Sequence, residues 1–191
     1  FAMFYDVDDP NTFCKDIHDL LNPNGVWVVE FSYFPLLLKN LTYDQICHEH
    51  VTYYDFKVFK KVINKQNLKI FDIKLNEING GSIQLICSKK SSNLKTNNKI
   101  IKKILEIEKK IGKDSFSKFN ERIKNHKTLV KTFFNLHSKK KIIGYGAATK
   151  GNVILNYCNL NKKNLHLICD ANKKKINKYT PGTNIKIISK E

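Results

Sequence analysis

Arginine is almost missing from this sequence: of its 34 basic residues only Arg122 is an arginine, the rest being lysine. Base readout and bidentate phosphate clamps favour the guanidinium fork, so the net charge of +17 does not by itself mark a nucleic-acid binder. The lysines are spread through every segment among asparagines and isoleucines. They suit steering of a small anionic substrate better than a duplex-tracking stripe. Long hydrophobic runs are also absent. Nothing approaches the roughly 18 apolar residues that span a bilayer, and the longest stretch, Tyr33 to Leu38, is of core or site length. Cysteine is sparse and unpaired in pattern: Cys14, Cys47, Cys87, Cys158 and Cys169 form no CxxC and no disulfide framework, which points to a reducing cytoplasm. The chain opens on Phe-Ala-Met-Phe-Tyr, without an initiating Met or a signal peptide, and stops abruptly at Ser-Lys-Glu, as expected of a piece of a longer protein.

What is present reads as α/β. Asp9-Pro10 opens a helix with apolar positions Phe13, Ile17, Leu20 and Leu21, closed by Asn22-Pro23-Asn24-Gly25. Val26 to Phe31 has the length and continuity of a strand buried on both faces of a mostly parallel sheet. A helix over Phe56 to Ile63, a strand over Leu68 to Leu75, a turn at Asn79-Gly80-Gly81 and a strand over Ser82 to Cys87 follow, the last two as an antiparallel hairpin. Together they form the second half of a doubly wound sheet with an added antiparallel edge, over residues 1–92. Two helices link this half to the next over 93–138. Ile100, Ile104, Ile107 and Ile111 make one face; Phe116, Phe119, Ile123, Val130 and Phe134 make the other, with Gly112 as stop and Asp114 as N-cap. Residues 139–191 read as a small Rossmann-like βαβ unit: a strand over Lys141 to Gly146, a helix over Lys150 to Tyr157, a strand over Leu165 to Cys169 ending in Asp170, and a turn at Pro181-Gly182.

The chemistry concentrates in Tyr43-Asp44-Gln45-Ile46-Cys47-His48-Glu49-His50-Val51-Thr52-Tyr53-Tyr54. Imidazole exchanges protons near neutrality, a neighbouring carboxylate such as Glu49 raises its basicity, and a phenol can donate to a developing oxyanion. The set suits removal of a proton beside a carbonyl. Two other readings stay open: a loop whose polar residues satisfy one another over the sheet, and a metal site. Cys47, His48 and His50 are zinc-type ligands, but neighbours point apart and structural zinc prefers four ligands with spacers of about two to five residues, so no metal is expected.

This segment resembles the signature of sugar C-methyltransferases, an Asp-x-Ile-Tyr-His-Glu-His stretch followed closely by Tyr, placed after the last parallel strand of the methyltransferase domain. Three further matches follow in order: Gly80-Gly81-Ser82, then Gly144-Tyr145-Gly146-Ala147-Ala148-Thr149-Lys150-Gly151-Asn152 with Asn156-Tyr157, then Asp170 with Pro181-Gly182-Thr183. The resemblance implies an enzyme of three parts: a zinc-binding region, an S-adenosyl-L-methionine domain and a Rossmann-like domain, with a nucleotide-linked deoxysugar bound between the last two. It implies His50 as the base and favours Gly80, Gly81 and Ser82 as a substrate-binding turn; read beside it, Glu49 orients the base, Tyr53 can supply a hydroxyl, and His48, Lys150 and Asn152 are candidates to bind substrate. Cys47 stands where the family has tyrosine, so a hydroxyl at that point must come from elsewhere. The main cofactor loop is not in this chain, which alone is expected to be inactive. The alternative is a non-catalytic nucleotide-sugar-binding module.

Gly144-x-Gly146 after a strand suggests a turn where backbone approaches a phosphate. The dinucleotide fingerprint needs a third glycine at position 149, where Thr149 sits, so NAD is not expected. Asp170 is either a trace of such a fold or an ordinary strand-end residue. Lys150 and Asn152 suit a diphosphate or sugar hydroxyls, or simply form a solvated helical turn. The paired glycines are equally a plain hairpin turn and a point of close backbone approach to the sugar.

Overall fold

The computed structural model describes residues 1–190, which fall into two compact units. The first contains Phe1–Thr42 and His48–Phe119; the second contains Tyr43–Cys47 and the residues from Asn120 onward.

The first unit opens with a 3₁₀ turn, Phe4–Asp6, then helix α1 (Pro10–Leu20). Asp9 caps α1 as its sequence foretells, accepting from the N–H of Asn11 at 3.0 Å and of Thr12 at 3.2 Å. Leu20 is 82 % exposed rather than packed, because α1 ends there and the extended Leu21 turns back onto the core in its place. Strand β1 (Trp27–Ser32) follows, then α2 (Phe34–Asn40), α3 (Phe56–Lys65), the hairpin β2 (Leu68–Asn76) and β3 (Ser82–Lys89), and α4 (Asn98–Lys109). Helix α3 starts from an Asp55 cap on the Val58 N–H and turns Phe56, Phe59 and Ile63, spaced for one face, wholly into the core. Each such burial contributes about 1.5–3 kcal/mol.

The three strands order as β1-β3-β2 with β3 antiparallel to both neighbours, so β1 and β2 run the same way with β3 between them. The parallel surroundings expected of β1 are therefore not found. Its pairing runs from Trp27 opposite Cys87 to Ser32 opposite Ser82, and Val28 on its outer face is 39 % exposed. An apolar run of strand length looks the same in sequence whether its outer valines are covered or not. The inner face of Val29, Phe31, Ile83, Leu85 and Cys87 meets Phe4, Phe59 and Ile63 in one core, to which α4 adds Ile101 and Ile104. On the other face Glu30 is buried but satisfied, accepting from Asn76 Nδ2 at 2.9 Å and Gln84 Nε2 at 3.2 Å.

Helix α5 spans Lys113–Leu136. Asp114 lies in its first turn rather than capping it, where a carboxylate still favours the helix dipole. Beyond it come β4 (Ile143–Tyr145), α6 (Thr149–Tyr157), β5 (Leu167–Asp170) and β6 (Lys186–Ser189), giving a parallel sheet ordered β4-β5-β6. The βαβ unit read from the sequence is present, and β6 extends it. Leu155, Cys158, Leu160, Leu165, Ile168, Ile185 and Ile187 form its core. Gly144 is needed here as bare backbone, since a Cβ would stand 2.7 Å from Leu165 Cδ2 and 3.1 Å from Ile168 Cγ1.

Candidate functional site

The carboxyl end of β1 is the organising corner of the first unit. Two successive backbone donors leave it: the Tyr33 N–H bonds to the Gly81 carbonyl and the Phe34 N–H to the Tyr54 carbonyl, both at 3.1 Å. The glycine turn and the end of the His48-to-Tyr54 stretch thus hang from adjacent residues. Behind the corner the Tyr33 hydroxyl, fully buried, donates to Glu108 of α4 at 2.7 Å. The same carboxylate accepts from the N–H groups of Phe56 and Lys57 at the start of α3. Burial pushes the Glu108 carboxyl above its ordinary pKa, against the pull of those hydrogen bonds, and the Tyr33 phenol is raised by burial and by Glu108.

The middle of the stretch is clipped to the first 3₁₀ turn. The N–H groups of Val51 and Thr52 both donate to the Tyr5 carbonyl, at 2.9 and 3.2 Å. His50, half-buried, lies with its ring centroid 4.2 Å from that of the buried Tyr5 and 6.1 Å from that of Tyr53. Asp6 is the carboxylate beside this group: its pKa is raised by partial desolvation, lowered by His50 and raised by Glu49. Glu49 and His48 are exposed. Tyr5 and Asp6 therefore belong to the acid–base group, although nothing in the sequence singled them out. They stand more than 40 positions from His50, and the one local signal, an aromatic-acid pair before the Asp9 cap, has no distinctive spacing.

The glycine turn has a packing reason of its own. Gly80 (φ +79) and Gly81 (φ +128) adopt left-handed backbone, and a Cβ would stand 2.3 Å from Thr42 Cγ2 at the first and 2.6 Å from Leu36 Cβ at the second. Asn40 Nδ2 donates to the Gly80 carbonyl at 2.7 Å, locking the turn onto the end of α2. Ser82 is 1 % exposed, and its hydroxyl donates to the Ile78 carbonyl at 2.9 Å. That proton is held inside the turn.

The beginning of the segment belongs to the second unit. The Tyr43 hydroxyl is hydrogen-bonded to His126 Nδ1 of α5 at 2.9 Å, and its ring meets Tyr157 of α6 edge-on at 5.4 Å between centroids. Burial and the neighbouring Cys158 raise the Tyr43 phenol. Cys47 is half-buried at the end of this stretch, its N–H donating to the Gln45 carbonyl. No group of three or more metal-binding side chains is found among the described residues.

Lys150 and Asn152 lie in the first turns of α6, in the second unit. Asn152 lines a cavity of about 240 Å³ at the carboxyl ends of the parallel strands; Lys150 is not among its lining residues. Asp170 faces inward: it accepts from the N–H of Ala147 and of Asn172, both at 2.7 Å, and stands 3.6 Å from the Lys175 ammonium. Those two N–H groups, with Lys175, hold its carboxyl below the usual range. The carboxylate thus braces the glycine loop, with Gly146 at φ +87, instead of being displayed for a ribose.

S-adenosyl-L-methionine needs a glycine-bearing turn beside a strand end. The residues present do not fit it in the first unit, because β1 runs into Tyr33 (0 % exposed) and the buried Pro35, which fill that corner. Among the described residues no helix is long and apolar enough to cross a membrane.

One antiparallel and one parallel three-stranded sheet, each with helices packed on it, make this chain an α/β protein. It belongs to a family of C-methyltransferases: the family described as the C-methyltransferase C-terminal domain matches residues 77–191. The chain is 28% identical over 189 residues to C-methyltransferase NovU of Streptomyces niveus. That match takes in 92% of the chain and 44% of NovU, so the chain spans less than half of the relative's length.

Proposed function

We propose that this chain is the catalytic and substrate-binding part of an S-adenosyl-L-methionine-dependent C-methyltransferase, whose substrate is a nucleoside-diphosphate 4-keto deoxysugar. What supports the reading above all is the corner after β1, where adjacent N–H groups of Tyr33 and Phe34 hold the glycine turn and the stretch carrying His50. Family membership supports the methyl transfer.

His50 takes the proton from the carbon next to the ketone, the C–H electron pair moves into an enolate, and the carbonyl oxygen receives the charge. Glu49 and Asp6 orient the imidazole, the Asp6 carboxyl feeling the charges of both His50 and Glu49. Tyr53, with Tyr5 beneath, supplies the phenols for the developing oxyanion. His48 and the Gly80-Gly81 backbone face the sugar, while the inward hydroxyl of Ser82 keeps the turn in shape. Lys150 and Asn152 hold the nucleotide part. S-adenosyl-L-methionine, when bound, supplies an electrophilic methyl group. Its own site lies with residues outside this chain, and the 191 residues alone transfer no methyl. The odd number of cysteines without framework spacing supports a cytoplasmic location.

The test is His50→Ala in the complete encoded protein. A positioned base contributes about 10²–10⁴-fold, so turnover should fall by that factor with cofactor affinity retained. Turnover within about threefold of the parent would remove His50 from the role, since a lost base costs far more.

A further inference from the structure

The glycine turn beside the corner after β1 has no N–H of its own left to give. The Gly80 N–H donates to the Glu77 carbonyl at 3.1 Å and the Gly81 N–H to the Ile78 carbonyl at 3.0 Å. Both glycine carbonyls also accept within the chain, from Asn40 Nδ2 and from the Tyr33 N–H. Their bare faces are covered too, Gly80 by the Thr42 methyl group and Gly81 by Leu36. A sugar resting on this turn must therefore find its hydrogen-bond donor in a side chain next to it.

Thr42 carries one. Its methyl packs on Gly80, while its Oγ1 is buried with no hydrogen-bond partner among the described residues. An unsatisfied buried hydroxyl destabilises the free protein, and valine would fill the same space without that penalty. The backbone is also strained to bring the side chain here. Leu41, the C-cap of α2, has φ 58 and ψ 35, a left-handed conformation that suits glycine and is uncommon for a bulky residue. That bend returns the Thr42 N–H to the Leu37 carbonyl at 3.2 Å and sets Thr42 against the turn. An orphaned buried group and a strained residue next to it are two separate marks of a ligand site. Thr42 as a whole is half-buried, so a ligand oxygen has to part the cover over its hydroxyl without opening the core.

We propose that Thr42 is a further substrate-binding residue, its hydroxyl donating to an oxygen of the sugar held beside the glycine turn. The assignment rests on the keto-sugar reading above and adds to it a residue one position before the segment that the sequence singles out.

The experiment pairs two variants of the complete encoded protein with two readouts. One is calorimetric titration with the uridine, thymidine, guanosine and cytidine diphosphate forms of a 4-keto deoxysugar. The other is the urea midpoint read from Trp27, which packs on the core of this unit. Thr42→Val keeps the shape and removes the hydroxyl: the midpoint should hold or rise, while the preferred sugar nucleotide binds about five- to tenfold more weakly. Thr42→Ser keeps the hydroxyl and removes the methyl from Gly80: the midpoint should fall, with affinity within twofold of the parent. A residue that only packs gives no such opposite pattern. Affinity within twofold of the parent in Thr42→Val, a midpoint lowered by that variant, or affinity lost equally in Thr42→Ser would each overturn the proposal. If the parent binds the sugar and Thr42→Val binds it as well, only the Thr42 assignment falls. If the parent binds none of the four, the keto-sugar reading falls and takes this one with it.

Discussion

Glu108 is the buried group whose removal should be felt furthest. Its carboxylate, 5 % exposed, receives the Tyr33 hydroxyl and the N–H groups that open α3. Glu108→Ala strands a fully buried phenol and an α3 donor, and deleting one partner of a buried charged network costs about 3–5 kcal/mol. Tyr33→Phe removes a hydrogen bond to a charged group, at about 1.5–3 kcal/mol. Much of that loss is already contained in the first change, so the double variant should cost little more than Glu108→Ala, a coupling of about 1.5–2 kcal/mol, within the usual range for touching residues. Trp27, the only tryptophan, packs on the core of the first unit, so its fluorescence during urea unfolding reads this unit. The pH dependence carries a sign. Since burial raises the Glu108 pKa, the folded state holds the proton more tightly than the unfolded chain. Stability then falls as pH rises from the ordinary carboxyl range through the raised folded value, and levels off above it. Glu108→Gln should abolish that slope. A coupling below about 0.5 kcal/mol, the level of independent sites, would refute the network.

Tyr43→Phe removes the bond to His126 and should cost about 0.5–1.5 kcal/mol, seen as faster hydrogen exchange in α6, with the Trp27 transition unmoved. Gly81→Ala combines a φ of +128 with a Cβ 2.6 Å from Leu36 and should cost more than about 2 kcal/mol, whereas Gly112→Ala, with nothing within 4 Å, should stay within about 0.5 kcal/mol by denaturant midpoint.

Local chemistry was legible in the sequence and pairing was not. The helix start at Asp9, the helix from Phe56 and the βαβ unit around Gly144 each rest on signals local in the chain, and all appear in the structure. Strand β1 misled because a sheet's direction depends on partners more than 50 residues away, Trp27 against Cys87, which no periodicity encodes. Helix α2 went unread because Phe34 to Asn40 is too short and too uniformly apolar to show a period. In the candidate site the density of His48, Glu49 and His50 was visible. Their companions Tyr5 and Asp6 were not, since only the folded chain brings them together. Asp170 was visible as a residue but not as a brace, because its partners are backbone N–H groups.

The corner after β1 shows how a short sequence can build a support for chemistry. The first N–H groups of any helix have no partner within it. In α2 the third of these positions is Pro35, which has no N–H at all, and the two before it, Tyr33 and Phe34, spend theirs on Gly81 and Tyr54. A strand running into Tyr-Phe-Pro thus ends in two outward donors, one residue apart and fixed by a helix that cannot reclaim them. Moving either one would need α2 to unwind or Tyr33 to leave its contact with Glu108. The residues that follow His50 are held by the Tyr5 carbonyl at Val51 and Thr52 and by the Phe34 N–H at Tyr54, while the imidazole itself rests beside the Tyr5 ring. The base role proposed for His50 would draw on such an arrangement, in which neighbouring residues limit where the side chain can go.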